Sequence, residues 1–257
     1  MPDRRRHRGP HPEDQHLFAP ECHPALRLAT LEYSWMLSRS YPADAALKLV
    51  GDHHGLTARQ RMAVRRSACS DGSHANRARK HTDAGALVGR RMAIDGYNLL
   101  ITIESALSGG VILIGRDGCA RDLASIHGTY RKVEVTVPAL TIAARALVDL
   151  GVGGATWLLD RPVSNSGRLR ALMEETFARV LADRPRDRPG LSTSETPRPS
   201  WAIELVARPD DELCRCTDVV VTSDSLILDH CAEWTNLAAT IIERWIPRAW
   251  IVDMSAI

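Results

Sequence analysis

The sequence predicts an α/β fold, in which a three-layer domain with a mainly parallel sheet follows a small all-α domain. Two observations support this prediction. From about residue 86 to residue 257, short apolar runs typical of buried strands alternate with amphipathic helical stretches, as in a parallel sheet with covering helices. Residues 21–70 instead show helical periodicity alone. We therefore expect a helical domain at 21–70 and an α/β domain at 86–257, which contains a polar loop at 183–200.

Length and composition indicate a globular protein of one or two domains. The chain has 257 residues, of which 44% are hydrophobic, and no apolar run approaches the roughly 20 residues that span a bilayer. Residues 1–20 lack the apolar segment of a secretory signal, so we expect an irregular arm there. The close cysteine pair, Cys214 and Cys216, has no second pair to complete a zinc site. These features predict reduced thiols, a cytoplasmic location and no membrane contact.

Charge is distributed unevenly along the chain. Residues 1–80 carry 14 Lys and Arg against 8 Asp and Glu, whereas residues 81–257 carry 19 against 23. The basic N-terminal region could bind phosphate, and the acidic C-terminal region could bind a cation. A surface asymmetry without function explains the same numbers equally well.

Three short helices are predicted within residues 21–70, and they suggest a helix-turn-helix-like bundle. Prolines at 24 and 42 suit the first turns of the first two helices, and Thr57 and Gln60 have the spacing of a capping box for the third. Residues 71–85 are polar and are expected to form a linker. The third helix carries arginines that either contact nucleic-acid phosphates or form an ordinary solvated face: Arg59, Arg61, Arg65 and Arg66.

Three predicted strands end at an aspartate or just before one, namely Asp95, Asp160 and Asp224. Because the carboxyl ends of parallel strands share one edge of a sheet, these carboxylates are expected to lie near one another. Their repulsion costs free energy unless a cation neutralises it, and carboxylate oxygens favour Mg²⁺ or Mn²⁺. The alternative for Asp95 is that it only caps the following helix.

Polar residues near these strand ends are candidates for substrate binding. Asn98 could orient a carboxylate or a water, and Ser223 could bind phosphate, although capping the next helix suits Ser223 better. The loop after Asp160 leads into a helix, whose N-terminus attracts phosphate, so the loop either grips substrate or simply caps the helix. Its candidates are Ser164, Asn165, Ser166, Arg168 and Arg170. Residues 127–132 mix an aromatic ring with cations, which suits either single-stranded nucleic acid or a surface turn.

Two motifs carry a resemblance to a known group of domains. Ile-Asp-Gly-Tyr-Asn-Leu at 94–99 resembles the opening motif of NYN domains, a branch of the PIN-like nucleases. Val-Val-Thr-Ser-Asp at 220–224 resembles their late strand–Ser–Asp motif, and Leu-Leu-Asp at 158–160 falls at their middle strand–Asp position. The order of the three motifs agrees with that group over residues 86–257.

The whole chain also resembles an uncharacterised prokaryotic family known as a domain of unknown function. Members of that family join a helical N-terminal part to a C-terminal domain of the NYN type. The resemblance rests on Leu-Lys-Leu-Val-Gly-Asp at 47–52 and on Pro-Val-Ser-Asn-Ser-Gly-Arg at 162–168.

The PIN-like resemblance implies metal-dependent endonucleolytic cleavage of RNA by an acidic cluster. It assigns the metal to Asp95, Asp160 and Asp224. Sites of this kind usually take a fourth acidic residue from a helix. Asp122 is the first choice for that residue, with Glu104 and Asp218 as alternatives.

Three functions follow as hypotheses. The first is an endoribonuclease that uses Mg²⁺ or Mn²⁺, with RNA as partner and a homodimer as one admissible assembly. The second is a non-catalytic nucleic-acid-binding or regulatory protein that keeps the fold, and the third is a metal phosphohydrolase acting on a small phosphate ester. An oxidoreductase is disfavoured because no G-x-G-x-x-G follows a strand, and the chain also lacks a phosphate-binding P-loop.

Overall fold

A computed structural model describes residues 8–124, 130–183 and 200–255. The helices in these ranges are α1 (Asp14–Leu17), α2 (His23–Ser38), α3 (Ala43–His53), α4 (Ala58–Ser67), α5 (Asp71–Lys80), α6 (Gly96–Leu107), α7 (Thr136–Asp149), α8 (Ser166–Ala182), α9 (Pro209–Arg215), α10 (Ser225–His230) and α11 (Leu237–Trp245). The strands are β1 (Arg91–Asp95), β2 (Val111–Ile114), β3 (Ala120–Asp122), β4 (Gly154–Asp160), β5 (Ser200–Val206), β6 (Val219–Val221), β7 (Trp234–Thr235) and β8 (Trp250–Asp253). Among the described residues, no helix combines the length and apolar character needed to cross a membrane.

Five strands form a parallel sheet in the order β5-β4-β1-β6-β7. The central strands are built from apolar residues that are inaccessible to solvent, such as Ile94, Trp157 and Val220. Continuous apolar runs are typical of strands buried on both faces. The α/β prediction with a mainly parallel sheet is therefore confirmed.

Three further strands form a second sheet in the order β3-β2-β8. In this sheet β2 pairs antiparallel with β3 and parallel with β8. Its apolar residues pack into the same core as the N-terminal helices, a core that includes Phe18, Leu26, Tyr33, Val64, Val111, Leu113 and Val252. The sequence predicted strands at 111–114 and 250–253, but their pairing in a separate sheet was not predicted, because β2 and β8 are far apart in sequence.

The described chain divides into two compact units. The helical unit comprises the described residues up to His81, from Ile101 to residue 124 and from Ile242 onward. The parallel-sheet unit comprises Thr82–Leu100 and the described residues from 130 to Ile241. The chain therefore passes between the units more than once, whereas the sequence predicted a single boundary near residue 86.

The three helices predicted in residues 21–70 are present as α2, α3 and α4. The predicted capping box opens α4, where the Gln60 backbone N–H donates to the Thr57 hydroxyl at 3.3 Å and the Thr57 N–H donates to Gln60 Oε1 at 3.1 Å. Within the expected irregular arm, residues 14–17 form the short helix α1. Much of the loop predicted at 183–200 lies outside the described residues.

Residues 71–80 form helix α5, although their polar composition suggested a linker. Ser70 caps this helix, since its hydroxyl accepts the Ser73 N–H at 3.1 Å. Near the end of the helix, the Arg77 guanidinium is buried and pairs with Asp117 at 2.6 Å. A local cap and a buried tertiary ion pair therefore order a stretch that has little apolar surface.

Candidate acidic site at the edge of the parallel sheet

The structure places Asp95, Asp160 and Asp224 on one edge of the parallel sheet. Strands β4, β1 and β6 are neighbours, with Asp95 in register with Leu158 and Ile94 in register with Val221. All three strands run in the same direction, so their carboxyl ends lie side by side. This edge is where α/β sheets commonly bind ligands.

The turn from β1 into α6 depends on the glycine that follows Asp95. A Cβ atom on Gly96 would lie 2.6 Å from Leu159 Cδ2 and 3.0 Å from the Leu158 carbonyl oxygen. Only glycine lets the backbone approach β4 this closely. Helix α6 therefore starts directly at the strand end, and the Asn98 N–H donates to Asp95 Oδ1 at 3.3 Å.

Asp95 caps α6, as the simpler interpretation predicted, but the cap uses only one of its two oxygens. The Thr222 hydroxyl donates to the other oxygen, Oδ2, at 2.9 Å, and accepts the Asp224 N–H at 3.1 Å. The carboxylate of Asp95 is thus held between the turns that follow β1 and β6.

Asn98 and Ser223 link the same two turns. The Ser223 N–H and hydroxyl both donate to Asn98 Oδ1, at 2.9 Å and 3.0 Å. The expected capping of α10 by Ser223 does not occur. Asp224 caps this helix instead, because its Oδ1 accepts the backbone N–H groups of Leu226 at 2.8 Å and Ile227 at 3.4 Å.

A fourth carboxylate, which the sequence analysis did not identify, belongs to this group. Asp210 lies in the first turn of α9, and the pKa of its carboxyl is raised by partial burial and by the charges of Asp224 and Asp160. A signal for it was present in the sequence, since proline followed by acidic residues is typical of a helix start. Asp210 therefore interacts electrostatically with the strand-end aspartates from a helix.

Burial and neighbouring negative charge raise the pKa values of carboxyls in this group. Burial raises the pKa of Asp95 to about 7, and the negative charges of Asp210 and Asp224 contribute to the increase. Burial also raises the pKa of Asp160. The charges that act on Asp95 and Asp210 come from neighbouring carboxylates, so the acidic side chains of this edge disfavour one another's ionised forms.

Asp122, the first choice for a fourth acidic residue, has other partners. It belongs to the helical unit, where the Thr102 hydroxyl donates to its Oδ2 at 3.0 Å and the Ala124 N–H donates to its Oδ1 at 2.7 Å. Its carboxyl is buried, which raises its pKa. The structure therefore assigns Asp122 to the packing of the helical unit.

The two alternatives to Asp122 also have partners away from the strand ends. Glu104 is fully buried and pairs with Arg8 in the helical unit. Asp218 precedes β6, at the opposite end of that strand from Asp224, and its carboxylate lies 3.5 Å from the Arg91 guanidinium. Asp218 is therefore not part of the acidic group, and the partner of Glu104 lies within the helical unit.

Two tyrosines lie near the acidic edge. The Tyr97 hydroxyl is buried without a hydrogen-bond partner among the described residues, and burial together with the Asp160 charge raises its pKa to about 12. The Tyr97 ring packs against that of Tyr130, with centroids 5.4 Å apart. Tyr130 is buried and its hydroxyl lies 3.1 Å from Thr136 Oγ1, so its ring is not exposed for stacking with bases. Residues 127–129 lie outside the described part of the chain.

The loop after Asp160 is shaped by Asn165, which adopts a left-handed conformation with φ 72°. Its side-chain amide donates to the Tyr130 carbonyl at 3.0 Å. Neither predicted serine caps α8: Asn165 is the N-cap residue and forms no side-chain cap, and the buried Ser166 hydroxyl bonds to the Arg161 carbonyl at 3.4 Å. The loop is therefore fixed mainly by bonds within the fold.

The other loop candidates are solvent-exposed residues. Ser164 and Arg168 both face solvent, and the Arg170 guanidinium pairs with Glu174 at 2.8 Å along α8. Exposed pairs of this type contribute little stability and exchange readily. The guanidinium groups of Arg168 and Arg170 thus remain accessible to an anion at the start of α8.

The arginines of α4 all form ion pairs inside the helical unit. Arg59, Arg61 and Arg66 are also partly buried, and Arg66 donates to two backbone carbonyls at 2.5 Å and 3.0 Å. The pairs are Arg59–Asp14, Arg61–Asp52, Arg65–Asp44 and Arg66–Asp122. Phosphate contact by this row stays a prediction, and it would have to compete with these carboxylates.

Two family models match the chain. One, described as a Domain of unknown function (DUF5616), covers residues 84–183 and 191–240, which is more than half of the chain. The chain belongs to the DUF5616 family. The second, described as a Protein of unknown function (DUF434), covers residues 25–80, so the helical and α/β parts of the DUF5616 chain correspond to separate family models. The predicted layout of a helical N-terminal part and an α/β part is thereby confirmed.

The DUF5616 chain also resembles an uncharacterized protein of the archaeon Methanocaldococcus jannaschii. The two are 26% identical over 204 residues, which is 79% of this chain and 89% of the archaeal protein. No solved structure matches the chain. The DUF434 match ends at residue 80, the last residue of α5, so it includes the helix that sequence composition had suggested was a linker.

Proposed function

We propose that this protein is a metal-dependent nuclease of the PIN-like type, which cleaves RNA at the acidic edge of the parallel sheet. The observation that carries the proposal is the convergence of Asp95, Asp160 and Asp224 at neighbouring strand ends, where the charge of Asp210 acts on the same group. The position of Asp210 on a helix agrees with the fourth acidic residue that the PIN-like resemblance implies.

The donor set fits a hard divalent cation. Asp95, Asp160, Asp210 and Asp224 offer only carboxylate oxygens, which Mg²⁺ and Mn²⁺ prefer over softer ligands. A pKa of about 7 for Asp95 means that its ionised form is disfavoured in the absence of a cation. Binding of a divalent ion would relieve this penalty, and these four residues are the ones that would hold it.

The surrounding residues have distinct roles under this proposal. When bound, a divalent ion lowers the pKa of a water and stabilises the charge that develops on a phosphodiester. Thr222 and the Asn98 N–H fix the orientation of the Asp95 carboxylate through their hydrogen bonds. The exposed Arg168 can attract the anionic backbone.

Incubation of the purified chain with RNA tests the proposal directly. We expect cleavage of single-stranded or structured RNA when Mn²⁺ or Mg²⁺ is present and none when a chelator removes the metal. Asp95→Asn keeps the shape of the side chain and should abolish cleavage, whereas Asp44→Asn, an exposed change on α3, should leave it unchanged. A wild-type protein that is inert on RNA and DNA with either metal would disprove the proposal.

One observation favours a second candidate, a metal phosphohydrolase that acts on a small phosphodiester. The arginines expected to contact nucleic acid on α4 all form ion pairs within the helical unit. They would have to leave these carboxylates in order to bind the phosphates of a long RNA. Hydrolysis of a small phosphodiester without cleavage of any RNA would favour this candidate over the nuclease.

A further inference from the structure

A second potential metal site lies in the helical unit, outside the acidic group. Among the described residues, Glu32, His53 and His54 offer three candidate ligand atoms that all lie within 4.8 Å of one another. His54 Nε2 is 2.7 Å from Glu32 Oε2. The four aspartates of the sheet edge do not form so tight a group in the described chain.

We propose that Glu32, His53 and His54 form a binding site for one zinc ion or a similar transition-metal ion. Two imidazoles and one carboxylate match a donor set that zinc uses in sites that keep a coordination position open to water. Zinc–ligand bonds are about 2.0–2.2 Å long, so ligand atoms around one ion lie roughly 3–4 Å apart. Small rotations of these side chains would bring the three atoms to that spacing.

The backbone fixes the positions of the two histidines before a metal ion binds. His53 is the last residue of α3, and His54 is its C-cap. Gly55 follows in a left-handed conformation with φ +59°, and the N–H groups of Gly55 and Leu56 donate to the carbonyls of Asp52 at 3.2 Å and Gly51 at 2.8 Å. This is the hydrogen-bond pattern of a Schellman motif, which ends the helix at a defined residue. Adjacent imidazoles are therefore presented from a rigid turn.

The local charges also favour a cation. Both histidines lie at the C-terminal end of α3, where the helix dipole attracts positive charge. Glu32, on α2, has no Lys or Arg ion-pair partner among the described residues, and its carboxylate hydrogen-bonds to His54. The neighbouring Asp52 is already paired with Lys48 at 2.7 Å and Arg61 at 2.8 Å, so it is not counted as a ligand.

The exposure of the three residues leaves space for the ion and its waters. His53 is exposed, and the side chains of His54 and Glu32 retain 10% and 38% of their accessible surface. A bound ion would connect α2 to α3, and water would complete its coordination. Because the ligands include imidazole nitrogen, zinc should bind here more tightly than Mg²⁺ does, in contrast to the all-oxygen site.

Titration of the metal-free full-length protein with Zn²⁺, followed by calorimetry, tests this proposal. We expect the wild type to bind one equivalent of zinc, with an affinity that falls at least about tenfold in His53→Ala and in Glu32→Gln. Removal of a ligand should weaken binding at least as much as a change in the residues that hydrogen-bond to a ligand, which typically costs about tenfold or more. His74→Ala removes an exposed histidine from α5 and should leave this equivalent unchanged. If His53→Ala and Glu32→Gln bind zinc as tightly as the wild type, the proposal is wrong.

Cobalt spectroscopy separates this site from the cysteines. Six free thiols are present, and thiolate ligands give Co²⁺ an intense charge-transfer absorption that nitrogen and oxygen ligands lack. We expect Co²⁺ to show ligand-field bands without this absorption, and His53→Ala to abolish them. A thiolate spectrum that His53→Ala leaves intact would overturn the assignment. Asp95→Asn should change neither the Zn²⁺ titration nor the Co²⁺ titration. The test of this site is therefore independent of whether the nuclease proposal holds.

Discussion

Replacement of Asp210 by asparagine is expected to lower the rate of metal-dependent cleavage by about a hundredfold or more. The change removes one negative charge from the acidic group while keeping the size of the side chain. Asp210 interacts with both Asp160 and Asp224, and its charge also raises the pKa of Asp95. Loss of one preorganised group that stabilises charge typically costs about 10²–10³ in rate. Single-turnover cleavage of a labelled RNA at saturating Mn²⁺ measures the effect.

Asp211 provides a matched control for this experiment. It lies beside Asp210 in the first turn of α9, and its exposed carboxylate is 3.5 Å from the Arg208 guanidinium. Asp211→Asn changes the net charge by the same amount at nearly the same place and should alter the rate less than about threefold, as expected for an exposed ion pair. Equal losses in the two variants would show that general charge, rather than a specific ligand, supports the activity.

Replacement of Asp117 by asparagine is expected to destabilise the protein by about 3–5 kcal/mol. The Asp117 carboxylate is almost completely buried and pairs with two buried guanidinium groups, those of Arg77 at 2.6 Å and Arg121 at 2.7 Å. Asparagine would remove the negative charge that both buried guanidinium groups contact. Chemical denaturation near neutral pH, monitored by circular dichroism, measures the loss of unfolding free energy.

The same ion pairs predict how stability depends on pH. The two arginines hold the pKa of Asp117 well below its usual range. A carboxylate with a lowered folded-state pKa stabilises the fold above its unfolded pKa, and this contribution is lost as the pH falls below about 4. The difference in stability between the wild type and Asp117→Asn should therefore shrink in acid.

Asp44→Asn is the control for Asp117→Asn. Arg65 and Asp44 are 2.9 Å apart but mostly exposed, so breaking this pair should cost less than about 1 kcal/mol. If Asp117→Asn costs no more than Asp44→Asn, the buried pairs do not stabilise the helical unit as described.

The features that could be predicted from the sequence are those encoded locally. The strand that ends at Asp95, the glycine turn and the helix after it occupy one short stretch of chain. The capping box at Thr57 depends on residues three apart. Such patterns specify an element without reference to the rest of the molecule, which is why the α/β fold and the strand-end aspartates were identified.

The features that escaped prediction depend on contacts between distant residues. Asp210 joins the acidic group because α9 packs near the ends of β1 and β4, and no spacing rule connects residue 210 with residue 95. Likewise, Glu32 meets His54 from a different helix. Strands β2 and β8 pair although 139 positions separate each residue from its partner, so this pairing has no local signature.

The central claim is that the strand-end carboxylates share a divalent ion, and Mn²⁺ binding tests it most directly. The affinity of the wild-type protein for Mn²⁺, measured by electron paramagnetic resonance, should rise between about pH 6 and about pH 8, because Asp95, with a pKa of about 7, must lose its proton to bind the ion. Asp95→Asn and Asp210→Asn should each weaken binding at least about tenfold. Equal Mn²⁺ affinity in the wild type and both variants would contradict the claim.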